Sequence, residues 1–107
     1  MSIAEVSVAE LKQLLAQGCP VVDVREPDEY ASGHVPDAKS VPLSVLADNV
    51  DVFGDGHTTY LICQAGARSM RACEFLEDLG KHVVNVAGGT GAWIASGFEV
   101  VLGESPH

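Results

Sequence analysis

The stretch TTYLICQAGARSMRACEFLEDLG, residues 58–80, carries two different hydrophobic patterns separated by a short loop. Its first part, residues 58–63, is apolar and rich in β-branched and aromatic side chains, which is typical of a buried strand. Its last part, residues 69–80, repeats apolar residues at helical spacing and ends on a glycine. The stretch therefore predicts a strand, a tight turn and a helix in direct succession.

The same alternation continues on both sides of this stretch. Two further apolar runs, VVDV at residues 21–24 and VVNV at residues 83–86, predict buried strands, and a short strand is expected near KSVPL at residues 39–43. Helical patterns occur at four other places: residues 7–18, 27–33, 43–50 and 91–97. The alternation predicts an α/β fold, an open and mostly parallel sheet of about five strands with helices on both faces.

Local signals mark the first helix. Ser7 and Glu10 stand at the spacing of a capping box, in which each side chain accepts a hydrogen bond from the backbone of the other. Gly18 follows the last apolar position and is expected to end the helix. We therefore expect a capped helix at the start of the chain.

Length and charge restrict the classes of function. At 107 residues the chain has room for one hydrophobic core, so we expect a single domain over residues 1–107, with its core at about residues 14–103. Fifteen acidic residues against six basic ones give a formal charge of −9. Nucleic acids and anionic membranes bind clustered lysine and arginine, so neither is an expected partner. A small anionic substrate would need local donors, because the overall field repels it.

The termini and the cysteines bear on location and on cofactors. Residues 1–18 lack the basic start and continuous apolar core of a secretory signal, and we expect a cytoplasmic protein. Three cysteines without a C-x-x-C pair argue against a disulfide framework and against a cysteine-rich zinc site. The histidines show no ligand spacing, so no bound metal is expected.

One cysteine lies where ligands gather in folds of this class. Cys63 ends the predicted strand, and the carboxyl ends of parallel strands form the ligand-binding edge of an open sheet. Residues 23–26 and 86–90 are expected at the same edge, because each group ends or follows another strand. The candidate binding loop consists of five residues: Gln64, Ala65, Gly66, Ala67 and Arg68.

The loop has the composition of an anion-binding turn. Its small side chains let the backbone curl so that successive N–H groups point inward, and the next helix, expected to start near Arg68 or Ser69, adds its unpaired N–H groups. Arg68 adds a full charge, either at the rim or facing the substrate. These donors lower the pKa of Cys63 without a histidine base, which predicts a nucleophilic cysteine. The alternative is a small buried hydrophobe that ends a strand.

The length of the loop separates two kinds of chemistry. Tyrosine-phosphatase-like loops carry C-x5-R, whereas residues 63–68 read C-x4-R. A tighter ring of amides suits one sulfur atom carried on the cysteine better than a whole tetrahedral phosphate. The spacing favours sulfur transfer, and a phosphatase or arsenate reductase is the alternative.

Three ordered stretches resemble the single-domain rhodanese family of sulfurtransferases. They are VVDVREPDEYASGHVPDAKSVPL at residues 21–43, CQAGARS at residues 63–69 and NVAGGTGAWIASGFEV at residues 85–100. Together they cover nearly the whole chain. The departures are small: Asp37 and Ser40 stand where the family more often has glycine and asparagine, and Thr90 where it often has a branched apolar residue.

The resemblance implies a thiosulfate sulfurtransferase with a ping-pong reaction. Cys63 would take the outer sulfur of thiosulfate or a related donor as a persulfide, stabilised by the amides of residues 64–68, and pass it to cyanide or a thiol. No metal or organic cofactor is implied. A sulfur carrier that exchanges sulfur with a protein partner, with low activity on free thiosulfate, is the alternative. Nothing in the sequence demands more than a monomer.

Other conspicuous residues have structural interpretations. Asp23 and Arg25 leave the strand on the same face and are expected to form an ion pair that braces the active edge and supports the site; direct contact with the substrate is the alternative. Cys73 falls on the apolar face of the predicted helix, as a core residue does. The glycines of residues 88–91 are expected to permit tight packing where the chain passes the active loop.

Overall fold

Five parallel strands form the centre of the molecule. The computed structural model describes residues 3–54 and 56–107, so the first two residues of the N-terminal segment interpreted above lie outside the described residues. The strands are β1 (Glu5–Val6), β2 (Val21–Asp23), β3 (Lys39–Ser40), β4 (Thr59–Ile62) and β5 (Val83–Val86). They are arranged in the order β1-β5-β4-β2-β3, and every neighbouring pair is parallel. The predicted open α/β fold is confirmed, and this sheet is parallel throughout.

The helices agree with the predicted order but differ in their limits. They are α1 (Val8–Ala16), α2 (Pro27–Ala31), α3 (Ala67–Asp78) and α4 (Gly89–Ala95). The short helix predicted over residues 43–50 is instead a pair of 3₁₀ helices, Leu43–Asp48 and Val50–Val52. Helix α3 begins at Ala67, slightly earlier than expected, because Met70 N already donates to Gly66 O. The active loop is correspondingly shorter.

The capping box of α1 is confirmed. Ser7 Oγ accepts from Glu10 N at 3.1 Å, and Glu10 Oε1 accepts from Ser7 N at 3.0 Å. The helix ends at Ala16, and Gly18 turns the chain with a φ of +84°. These contacts are local in sequence, which is why the pattern of residues 7–18 was sufficient to predict them.

Helices cover both faces of the sheet, as predicted. Alternate strand residues point to opposite faces, so Val22 and Leu61 belong to one core cluster while Val21 and Ile62 belong to the other. The first cluster is completed by α3 and the first 3₁₀ helix, and the second by α1 and α4. None of the helices in the described residues is long and apolar enough to cross a bilayer.

The strand that sequence reasoning missed is β1. It has two residues, Glu5 and Val6, and it pairs with β5 at the edge of the sheet, with Glu5 opposite Asn85. A two-residue strand has no periodicity of its own, so only the pairing with β5 defines it. This pairing brings a carboxylate next to a polar residue of β5, and that contact reaches the site described next.

Candidate active site

Cys63 directly follows β4, and three hydrogen-bond donors lie within 3.3 Å of its sulfur. Its side chain is buried, and its Sγ accepts from Gly66 N at 3.1 Å and from Ser69 N at 3.3 Å. The Ser69 hydroxyl lies 3.3 Å from the same sulfur. Backbone and side-chain donors thus converge on one atom at the carboxyl end of a central strand.

The start of α4 fixes the direction of the loop peptides. Cys63 O accepts from Thr90 N at 2.8 Å, and Gln64 O accepts from Gly91 N at 2.9 Å. In a trans peptide the C=O and the following N–H point in opposite directions, so these bonds turn the loop's N–H groups away from α4. Gly66, with a φ of +106°, then brings its own N–H toward the sulfur, a conformation that favours glycine.

The hydrogen bonds outweigh burial in their effect on the thiol. Burial alone would raise the pKa of Cys63, whereas the Ser69 hydroxyl and the backbone N–H groups of Ser69, Gly66 and Ala65 lower it. The net result is a pKa below the ordinary value for cysteine. A thiolate is therefore favoured at this position without a histidine base.

Arg68 lies at the rim and is paired with Glu29 of α2. Its two terminal nitrogens donate to the Glu29 carboxylate at 2.7 and 2.8 Å, and both side chains are partly exposed. This hydrogen bonding lowers the pKa of Glu29 to about 2 and raises the pKa of Arg68. The donors of Arg68 are thus directed to Glu29 in this structure.

Asp23 and Arg25 form a buried ion pair behind the loop. Arg25 Nη2 lies 2.8 Å from Asp23 Oδ2, and Arg25 Nε donates to both carboxylate oxygens at 3.1 Å. Arg25 also donates to Gly33 O at 2.8 Å and to Gln64 Oε1 at 3.2 Å. The ion pair thus connects the end of β2 to the active loop through the hydrogen bond from Arg25 to Gln64.

Three residues near the sulfur were not singled out from the sequence: Ser69, Asn85 and Glu5. Ser69 Oγ contacts Asn85 Oδ1, and Asn85 Nδ2 donates to Glu5 Oε2 at 2.9 Å. Ser69 sits where α3 begins, and Asn85 is a lone polar residue in the apolar run VVNV. These two features were the available signals, whereas nothing local distinguished Glu5.

The glycine-containing segment of residues 88–91 packs against the active loop. A Cβ on Gly89 would lie 2.4 Å from Cys63 O and 2.7 Å from the carbonyl carbon of Gln64. A Cβ on Gly91 would lie 3.2 Å from Gln64 O. These positions accept glycine because the two backbones meet there, which is the tight packing interpreted from the sequence.

The other two cysteines have a different electrostatic environment. Burial, together with Glu77 and Glu74, raises the pKa of Cys73 to about 12. Burial also raises the pKa of Cys19. Cys63 is the thiol whose pKa is lowered, so the three cysteines are chemically distinct.

The fold and this loop define a class of protein, and comparison with known proteins identifies the family. The model of the rhodanese-like domain matches residues 7–96. A crystal structure of a rhodanese-related protein from Thermoplasma volcanium superimposes with a TM-score of 0.87 at 34% identity, covering 92% of this chain and 98% of that one.

Two relatives from Bacillus subtilis carry functional names. A putative sulfurtransferase is 34% identical over 95 residues, which are 87% of this chain and 92% of the relative. A putative sulfur carrier protein is 32% identical over 95 residues, 86% of this chain and 51% of the relative. The chain belongs to the rhodanese-like family, in which such relatives imply a sulfur donor and a sulfur acceptor as substrates.

Proposed function

We propose that the protein is a sulfurtransferase that moves a sulfane sulfur from thiosulfate or a related donor to a thiophilic acceptor through a persulfide on Cys63. One observation carries this proposal: Cys63 Sγ is buried in a short loop, accepts hydrogen bonds from Gly66 N and Ser69 N, and lies 3.3 Å from the Ser69 hydroxyl. Such an environment stabilises a thiolate, which is the nucleophilic form of cysteine.

The reaction has two halves. In the first, the Cys63 thiolate attacks the outer sulfur of thiosulfate, a new S–S bond forms, and the S–S bond of the donor breaks as its electron pair leaves with sulfite. In the second, cyanide or a thiol attacks the outer sulfur of the persulfide, and Cys63 leaves as a thiolate. No metal or organic cofactor takes part in either half.

The loop backbone stabilises the charge that Cys63 carries between the two halves. The N–H groups of Gln64 and Ala65 belong to peptides whose carbonyls bind the start of α4 before any donor binds, so these groups need little reorganisation during the reaction. Arg25 and Asp23 hold the loop from behind through Gln64. Arg68, paired with Glu29, gives the rim a fixed positive group beside the entrance.

A sulfur carrier that exchanges sulfur with a protein partner is the second candidate. Two observations favour it: one relative is named a putative sulfur carrier protein, and the formal charge of −9 slows the approach of small anions. Rapid steady-state turnover of thiosulfate and cyanide supports the enzyme. Persulfide formation from a protein donor alone supports the carrier.

The proposed setting is the cytoplasm, with the protein acting as a monomer. Its three cysteines are free thiols, which suits a reducing compartment where a persulfide can be passed on to other thiols. In such a compartment a small thiol is available as the acceptor in the second half of the reaction.

Intact-mass measurement after thiosulfate treatment tests the proposal. We expect the wild type to gain one sulfur atom and Cys63→Ser to gain none, because only the Cys63 thiol has a lowered pKa. Cys19→Ser is the matched control, since it also removes one thiol and should load like the wild type. Equal loading of Cys63→Ser, or no loading of the wild type, overturns the assignment.

A further inference from the structure

A buried hydroxyl near Cys63 is shared among several acceptors. Ser69 Oγ lies 3.3 Å from Cys63 Sγ, 3.3 Å from Gly66 O and 2.5 Å from Asn85 Oδ1. The hydroxyl has one hydrogen, and a carbonyl or amide oxygen cannot donate to it. When Cys63 is a thiolate, it therefore competes with Asn85 for that single hydrogen.

The orientation of the Asn85 amide decides this competition. Its Nδ2 donates to Glu5 Oε2 at 2.9 Å and to Gly66 O at 3.3 Å, and both partners only accept. Turning the amide over would bring Oδ1 against these two acceptors. The Glu5 carboxylate therefore holds Asn85 with Oδ1 toward Ser69, at a site that is itself buried.

The geometry connects an exposed residue to the reactive sulfur. Glu5 lies on edge strand β1, directly opposite Asn85 in the register with β5. From Asn85 the contacts lead to Ser69 and then to Cys63 Sγ. We call these three residues, Glu5, Asn85 and Ser69, the hydroxyl–amide chain.

The hydroxyl–amide chain acts differently on the thiol and the thiolate forms of Cys63. A thiol can donate its S–H to Ser69 Oγ while Ser69 donates to Asn85 Oδ1, so every hydrogen is used. A thiolate needs to accept the Ser69 hydrogen. When Ser69 donates it to the thiolate, Asn85 Oδ1 faces Ser69 Oγ with no hydrogen between the two oxygens. Glu5, by holding the amide in this orientation, favours the thiol.

We propose that Glu5 is a positioning residue that restrains the reactivity of Cys63 by directing the Ser69 hydroxyl hydrogen toward Asn85. This inference rests on the proposed role of Cys63 as the nucleophile. It differs from simple repulsion between Glu5 and the thiolate, because it requires the Ser69 hydroxyl.

Glu5→Gln is the variant that tests it. A glutamine amide both donates and accepts, so in Glu5→Gln only Gly66 O still opposes the turned orientation of Asn85, and the Ser69 hydrogen becomes more available to the thiolate. We expect alkylation of Cys63 by iodoacetamide near neutral pH to become roughly three- to tenfold faster, the worth of about one hydrogen bond. The pH profile of alkylation should shift to lower pH, and mass spectrometry of the Cys63 peptide excludes the other thiols.

Two controls separate the hydroxyl–amide chain from a plain charge effect. In a Ser69→Ala background the hydroxyl is absent, so Glu5→Gln should no longer change the alkylation rate. Glu74→Gln removes the same charge from an exposed position on α3 and should leave the rate unchanged. An equal acceleration by Glu5→Gln with and without Ser69, or no acceleration at all, overturns the proposal.

The alkylation assay also keeps this inference distinct from the proposed function. If the wild type loads sulfur on Cys63 but Glu5→Gln fails these tests, the hydroxyl–amide chain is rejected while the sulfurtransferase stands. If Cys63 in the wild type loads no sulfur although Glu5→Gln accelerates its alkylation, the transfer reaction is rejected while the control of the thiol stands.

Discussion

At the scale of single residues, Thr90 has a buried hydroxyl that lacks a hydrogen-bond partner in the described part of the chain. Its backbone N–H donates to Cys63 O, but its buried Oγ1 has no hydrogen-bond partner among residues 3–54 and 56–107. An unpaired buried hydroxyl costs about 1–3 kcal/mol, since it loses water without gaining a partner.

Thr90→Val should therefore stabilise the protein. Valine has nearly the same shape and removes the unpaired hydroxyl, so we expect the free energy of unfolding to rise by about 1 kcal/mol in urea titrations. Thr58→Val, at an exposed position, removes a hydrated hydroxyl and should change the free energy of unfolding little. A lower free energy of unfolding for Thr90→Val would mean that the hydroxyl has a partner in solution.

At the scale of elements, the active loop and the start of α4 form one unit. The N–H groups of Thr90 and Gly91 bind the carbonyls of Cys63 and Gln64, and Gly89 leaves the space for this approach. Two consecutive loop peptides are thus oriented by a helix that follows a different strand. The nucleophile depends on the junction between β5 and α4 as much as on its own loop.

Gly89→Ala should damage the site, and Gly97→Ala is its matched control. Both glycines have a positive φ, +60° and +77°, so both substitutions carry a similar backbone strain of about 1 kcal/mol. A Cβ on Gly89 also meets the Cys63 carbonyl, whereas nothing lies within 4 Å of one on Gly97.

We expect the rate of sulfur loading, followed by mass after mixing with thiosulfate, to fall at least roughly tenfold in Gly89→Ala, because misplaced amides stabilise the sulfur less. Gly97→Ala should load at the wild-type rate. Equal rates in both variants would show that the loop tolerates displacement by α4.

Local patterns account for the elements that could be predicted from the sequence. Strands β2, β4 and β5 are continuous apolar runs, and α3 has helical spacing, so each is defined by its own residues. Cys63 and its loop were predicted as the candidate site in the same way, from the break between β4 and α3. Strand β1 was missed because it depends on pairing with a segment 80 positions later, as the contact between Glu5 and Asn85 shows.

Long-range partners explain what remained hidden in the site. The sequence left Arg68 either at the rim or facing the substrate, and it did not indicate the partner of its donors, Glu29, which lies 39 positions earlier in the chain. The pair Asp23 and Arg25 was foreseeable, since the two residues alternate on one strand. Spacing within a segment predicts neighbours on that segment, whereas contacts between α2 and α3 require the packed fold.

At the scale of the whole molecule, an acidic surface surrounds a site built from hydrogen-bond donors. The formal charge is −9, whereas Cys63 Sγ is approached by N–H and O–H groups, with Arg68 at the rim. A donor anion is therefore repelled at long range and stabilised at short range. Salt screens the long-range repulsion far more than the short-range stabilisation, because the Debye length is about 8 Å at physiological ionic strength.

The rate of sulfur loading should consequently rise with ionic strength when thiosulfate is the donor. Sodium chloride between low and physiological concentrations screens the repulsion, and we expect a severalfold faster second-order rate in stopped-flow or quenched reactions. A neutral sulfane donor serves as the control and should show no comparable increase. A rate that falls with salt would mean that Arg68 attracts the anion more strongly than the rest of the surface repels it.

The exposed methyl groups of Ala65 and Ala67 have a consequence for how such a protein can be altered. Both side chains point outward, while the sulfur is held by backbone N–H groups and by the buried Ser69. The exposed side chains and the groups that bind the sulfur therefore belong to different parts of the same short loop. Substitutions at these two alanines can change the outer surface of the loop in evolution or laboratory selection while the hydrogen bonds to the sulfur are kept.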